Sequence, residues 1–340
     1  MTRWPMVVLA LALAGAAGAQ NVKITPLGTH AGELCDRDRA TLFEDPTGVR
    51  ILYDAGASVT GSDDPRLGAV HVVLLSHAHG DHMGDQRLKG QGAGTCARPE
   101  LVSAAPHSTT AEIAAAKNSA LLMMIPMASF LGRKVENIRG KPAPACPQTG
   151  GALVAPLAEP CLAGVHIGGA QRVRTADAGS AVEITAVTAA HESTVSRSLL
   201  SDPERKSLEP DNVSLTLGPS GGYVIRFTNG LVVYLSGDTG LHAEMKSIVA
   251  DYHKANLMML NLGPNAVTMH SAAYAVNEFV RPAAVIASHP NEAATAGGKV
   301  REGSRMAAFV AGVTGRPVHM ALSGRTMEFD GGAKCVAGCQ

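Results

Sequence analysis

Val70-His71-Val72-Val73-Leu74-Leu75-Ser76-His77-Ala78-His79-Gly80-Asp81-His82 joins an apolar run to a turn that gathers three imidazoles and a carboxylate. The run is apolar throughout except for His71, as expected of a strand buried on both faces. Such a strand holds the backbone still, and the turn beyond its carboxyl end aims several donors at one place, the usual position of ligand groups in layered α/β folds. Neutral imidazole nitrogen suits zinc, iron or nickel better than calcium or magnesium, so the stretch predicts a metal site, and donors this close together suffice for two ions. A solvated polar turn is the plainer alternative, but His-x-His followed by Asp-His around a glycine is hard to obtain from a loop that needs only to be soluble. His30, His71, His107, His166, His242, His253 and His319 lack such neighbours and read as ordinary surface or core histidines.

The chain has 340 residues, 46% of them apolar, enough for a sizeable core. Its 29 lysines and arginines balance 29 aspartates and glutamates, so it lacks the basic excess that marks nucleic-acid binding and a small-molecule substrate is expected. Arg3, the apolar stretch 6–17 and Ala17-Gly18-Ala19 read as a secretory signal over residues 1–19. The apolar stretch is shorter than a bilayer span, so the remaining chain is expected to be periplasmic or secreted, with no membrane contact after cleavage. Six cysteines suit an oxidising compartment. Cys335 with Cys339 and Cys146 with Cys161 are near neighbours, which leaves Cys35 to join Cys96, one of several possible pairings. No Cys-x-x-Cys pair points to thiolate-bound zinc.

Residues 22–27, 40–43 and 50–53 are short apolar or alternating runs set off by glycine, aspartate and proline, the pattern of an antiparallel meander. The alanine-, leucine- and methionine-rich stretch 108–134 reads as helical, with Met123, Met124 and Met127 in its core. Residues 141–169, rich in proline and glycine, read as an irregular excursion. Strand character resumes at 181–187 and runs into His191, after which 192–220 is polar and poorly periodic, a candidate lid or a disordered insertion. Asn229-Gly230 between 223–227 and 231–235 signals a tight hairpin. Strands at 257–262 and 283–287, helices at 241–252, 271–279 and 301–312, and short strands at 317–322 and 326–329 complete the reading.

Asp54-Ala55-Gly56, the cluster from His77 to His82, His191, Ser236-Gly237-Asp238-Thr239 and Ser288-His289 resemble, in this order, the motifs of the metallo-β-lactamase superfamily. The hairpin from Tyr223-Val224-Ile225 into Tyr234-Leu235-Ser236-Gly237-Asp238-Thr239-Gly240 looks most like the ascorbate-6-phosphate-lactonase-like branch of metal-dependent hydrolases. The resemblance implies an α/β fold, a four-layer αββα sandwich of two mixed β-sheets with outer helices. It implies one metallo-hydrolase domain over 20–340, with insertions at about 100–170 and 192–220.

The same resemblance assigns His77, His79 and His191 to a first divalent metal ion and Asp81, His82 and His289 to a second, with Asp238 bridging and Asp54 supporting the site from behind. Zinc is favoured, with manganese or iron as alternatives. The implied chemistry is attack by hydroxide from a water shared by the two ions, with Asp81 orienting it and taking its proton. An ester-like bond is the expected target, lactone or carboxylic ester ahead of phosphodiester. Since β-lactamases of this superfamily generally lack a carboxylate at the position of Asp238, antibiotic hydrolysis is a minor alternative; a di-iron redox protein on the same scaffold is the other. His270, Tyr274 and Glu292 read as structural rather than as leaving-group acids.

Overall fold

The meander forms as read. In the computed structural model, which describes residues 21–339, β1 (Val22–Pro26), β2 (Thr41–Glu44) and β3 (Arg50–Tyr53) pair antiparallel in sequence order. The signal segment expected at 1–19 lies outside the described residues. The apolar run at 70–75 yields β4 (Val72–Leu74), every residue buried, parallel to β3.

Next to β4 lies β5 (Ala120–Met124), also parallel and wholly buried. This corrects the helical reading of 108–134. A helix does begin at Thr109, capped by Ser108, but it stops at Lys117 because Asn118 adopts a left-handed backbone (φ 52°) and closes it. Ala-Leu-Leu-Met-Met then runs as a strand, because burial on both faces between two parallel neighbours outweighs the helical preference of leucine and methionine. A second helix, Ile125–Arg139, starts with proline in its first turn. Met123, Met124 and Met127 are buried, as expected.

The stretch 141–169 is also more ordered than its composition suggests. It contains β6 (Leu153–Ala155) and β7 (Cys161–Val165), and β7 extends the first sheet parallel to β5. β8 (Ala170–Thr175), β9 (Val182–Thr188), β10 (Gly221–Arg226) and β11 (Val232–Leu235) form an antiparallel series. β12 (Leu257–Asn261), β13 (Ala284–Ser288) and β14 (Val318–Met320) follow in parallel, and β15 (Met327–Phe329) and β16 (Cys335–Ala337) return to β1. One sheet thus runs β7-β5-β4-β3-β2-β1-β15-β16 and the other β6-β8-β9-β10-β11-β12-β13-β14.

Both sheets are mixed, and they share one continuous core. Phe43 of the first stacks on Phe227, just past the end of β10 in the second, with ring centroids 6.0 Å apart, and the buried Tyr223 hydroxyl donates to Leu75 O at 2.7 Å. Helices Ile125–Arg139, Met245–Tyr252, Met269–Tyr274 and Arg305–Gly312 present mixed buried and exposed faces. Within 192–220, a short helix Asp202–Leu208 closes a capping box between Ser201 and Glu204 and buries none of its residues. The disulfides are Cys35–Cys96, Cys146–Cys161 and Cys335–Cys339. Among the described residues no helix is long and apolar enough to cross a membrane.

Because Leu121 is fully buried in β5, Leu121→Ala should lower unfolding free energy by about 2–5 kcal/mol, read as a shifted urea midpoint at unchanged slope. A loss below about 1 kcal/mol would place Leu121 on a surface and restore the helical reading.

Candidate metal centre

Each candidate ligand stands just past the carboxyl end of a strand. Asp54 follows β3, residues 76–82 follow β4, His191 follows β9, Asp238 follows β11 and His289 follows β13. The first two strands belong to one sheet and the other three to its partner, so the site draws on both. Asp54 and His289 have left-handed backbones (φ 43° and 50°), costing about 1–2 kcal/mol outside glycine and persisting where the surroundings hold them. At Asp54 the backbone N–H is fixed by Leu74 O at 2.9 Å. Gly56 is required for space as well as for its positive φ: a β-carbon there would lie 2.2 Å from Asp81 O.

The donors fall into two groups. His82 Nε2 lies 3.0 Å from His289 Nε2, and Asp81 Oδ2 lies 3.4 Å from His289 Nε2 and 3.9 Å from His82 Nε2. Asp238 Oδ1 completes this group at 3.4 Å from His289 and 3.5 Å from His82. A tetrahedral ion about 2.1 Å from each donor has donor–donor edges of roughly 3.4 Å, so the spacing fits one cation. His77, His79 and His191 form the second group, with one donor atom of each within 4.8 Å of the others, and His77 lies equally within reach of His82 and Asp238. Asp238 Oδ2 is 3.9 Å from His191 Nε2, so its two oxygens face different groups.

One donor atom in this arrangement has no other partner. His77 Nε2 is buried and has no hydrogen-bond partner, while its Nδ1 meets Ser76 Oγ at 2.9 Å. A cation at that position would satisfy a nitrogen that is otherwise costly to bury. Burial holds the His77 and His289 imidazoles below their ordinary value and therefore neutral, the form that donates to a metal. Burial alone would push the Asp81 and Asp238 carboxyls up, but the imidazoles of His82 and His289, with Arg39 at Asp81, outweigh it and hold both well below the usual range. His82 is the exception. Although burial opposes its charge, Asp238, Asp54 and Asp81 lift it well above an ordinary imidazole, so a cation would compete with a proton for this ring.

Around the donors stands a layer of supports. Asp54 Oδ1 accepts from Ser76 N at 2.8 Å, and Oδ2 accepts from Ser76 Oγ at 2.7 Å and contacts His82 Nδ1 at 2.8 Å. This fixes the His82 ring with Nε2 facing the centre. The sequence reading missed three others. Asn261 Nδ2 donates to Asp238 Oδ1 at 3.1 Å. Arg39, its side chain 1% exposed, donates from Nε and Nη2 to Asp81 Oδ2 at 3.1 and 3.0 Å, and from Nη1 to the Asp36 and Asp38 carbonyls. Glu192 pairs with His79 Nε2. The signals available were faint: a charged run at 36–39 just before an apolar strand, and an acid adjoining a candidate ligand.

His270 and Tyr274 line a groove with Ala308 and Gly312, lined by none of the candidate ligands. Glu292 accepts from Arg305 N and Met306 N at 3.2 and 2.9 Å and so caps a helix, in line with its structural reading. A polar cleft of about 460 Å³ opens at Asp81, with Arg37, Asp85, Gln86, Ser196 and Asn291 among its walls. A more apolar cavity of about 420 Å³, bounded by Ile167, Val187, Ile248 and Tyr252, shares no wall with the donors.

No protein-family model matches the chain. It is 24% identical over 258 residues to a UPF0173 metal-dependent hydrolase of Staphylococcus carnosus, covering 74% of this chain and 82% of that protein. A UPF0173 metal-dependent hydrolase of Polynucleobacter asymbioticus is 33% identical over 111 residues, 32% of this chain and 36% of that one. Among solved structures, Igni18, a metallo hydrolase from Ignicoccus hospitalis, superposes with a TM-score of 0.54 at 20% identity, over 91% of this chain and 99% of that one, a likeness of fold. The pair of mixed sheets, with the motifs at their strand ends in the order read from sequence, gives the chain the metallo-β-lactamase fold, and the relatives it matches are named metal-dependent hydrolases.

Proposed function

We propose that the chain is an exported metal-dependent hydrolase that holds two divalent cations, zinc favoured, and cleaves an ester-like bond, with lactones and carboxylic esters ahead of phosphodiesters. The observation that carries this reading is the set of overlapping donor groups, joined through Asp238, beside an open polar cleft. The hydrolase names of the relatives support it. Export is supported by the signal-like segment before residue 20 and by three disulfides.

Two cations bound here would supply Lewis acidity and ionise water near neutral pH, so no serine or cysteine nucleophile is needed. The chain's own contribution is position and charge. Asp238, held by Asn261, keeps the two donor groups in register. Asp81 orients the attacking water by accepting its hydrogen bond. His82 and Arg39 hold its carboxyl well below the usual range, which keeps it ionised and able to accept that hydrogen bond. The cleft beside Asp81 receives the polar part of the substrate along Arg37, Asp85 and Gln86.

Chelation followed by dialysis should abolish turnover of a panel of lactones, aryl esters and phosphodiesters, and added zinc or manganese should restore it. Turnover that survives complete metal removal would end the proposal, while iron in the purified chain with oxygen uptake would favour the redox alternative. Asp81→Ala would strand the buried Arg39 guanidinium, so Asp81→Asn, which keeps an acceptor for it, is the cleaner variant. It should lose activity by about a hundredfold or more with little change in urea midpoint. Activity within a few-fold of wild type would remove Asp81 from the machinery.

A further inference from the structure

His79 offers its neighbours only one nitrogen. Its Nε2 meets Glu192 Oε1, so Nδ1 is the atom left to face His77 and His191. An ionised carboxylate only accepts hydrogen bonds, which requires the ring hydrogen on Nε2 and the lone pair on Nδ1. Glu192 is itself held in place: Oε2 accepts from Thr194 N at 2.7 Å and from Thr194 Oγ1, and its carbonyl accepts from Ser220 Oγ at 2.6 Å.

The residues that follow are strapped to the same turn. Ser193 Oγ accepts from Ala78 N at 3.0 Å, and Ser196 Oγ donates to Asp85 Oδ2 at 2.6 Å. Lys134, its side chain sunk against the Phe130 ring with Nζ 5.1 Å from the centroid, donates to Leu199 O from the far side. The start of 192–220 is therefore tied across residues 78–85. The segment expected as a lid begins as a brace.

We infer that Glu192 is a positioning residue for His79: it selects the tautomer and ring orientation that turn Nδ1 toward the metal centre. The inference rests on the metal-dependent reading above. Two adjacent residues then serve one centre from opposite sides, His191 as a donor and Glu192 from behind His79. A carboxylate behind a ligating imidazole both fixes the ring and raises its basicity, and loss of such a partner typically weakens metal binding by about 10–100-fold.

The full chain is tested with zinc against a chromogenic chelator, and its histidine tautomers are read by ¹⁵N NMR on the metal-free protein above the imidazole titration range. Glu192→Ala should weaken zinc binding by about tenfold or more and remove the single Nε2–H form of His79, assigned with His79→Asn. Glu192→Gln, which keeps an acceptor oxygen in place, should recover most of both. Unchanged affinity and tautomer in Glu192→Ala overturns the inference, as does a Gln variant no better than Ala. Wild-type chain that takes up no metal would instead refute the underlying hydrolase reading, which keeps the two failures apart.

Discussion

One buried carboxylate sets the geometry of everything else in the centre. Asp54, at the end of β3, accepts the Ser76 N–H with one oxygen and engages Ser76 Oγ and His82 Nδ1 with the other. The residue sits in a left-handed backbone at 1% exposure. Its grip fixes the start of the turn that carries His77, His79 and Asp81, and it fixes the ring of His82. From there the centre is built by strand ends meeting: β9, β11 and β13 of the other sheet bring His191, Asp238 and His289 to a place already defined. The sandwich core matters to the chemistry because it holds those ends in register.

Electrostatics then divides the labour among the carboxylates. Asp238 faces both donor groups, is steadied by Asn261 and is held ionised by His289 and His82. Asp81 belongs to one group and is shared with a buried guanidinium. Burying Arg39 is tolerable only because Asp81, Asn291 and two backbone carbonyls satisfy it together. Asp54 acts from behind, directly on His82 and through Ser76 Oγ on His77. Carboxylates of one residue type thus take three roles, set by what each touches.

Much of this was legible in the sequence, and the reason is local. Strand-then-ligand grammar is written in consecutive residues: Val72 to His82, Val232 to Asp238 and Ala284 to His289 each carry both the apolar run and the donor. The parts that were not legible depend on neighbours distant in the chain. β5 looks helical because leucine and methionine favour helices, and only β4 and β7 on either side make it a strand. Arg39 meets Asp81 across 42 positions and Glu192 meets His79 across 113, separations that no local pattern encodes. The polar composition of 192–220 suggested a lid or a disordered insertion, yet Val195, Leu199, Leu200 and Leu217 join the core and its first residues are tied to the motif turn through hydrogen bonds that composition does not reveal.

The central claim is that His77, His79, Asp81, His82, His191, Asp238 and His289 together grip a pair of cations. Anomalous X-ray scattering from crystals of zinc-loaded protein, recorded on both sides of the zinc edge, tests it directly. Two peaks are expected, one within His77, His79 and His191 and one within Asp81, His82 and His289, with Asp238 contributing an oxygen to each. A single peak at full loading, or two peaks with Asp238 bound to neither, would contradict the account.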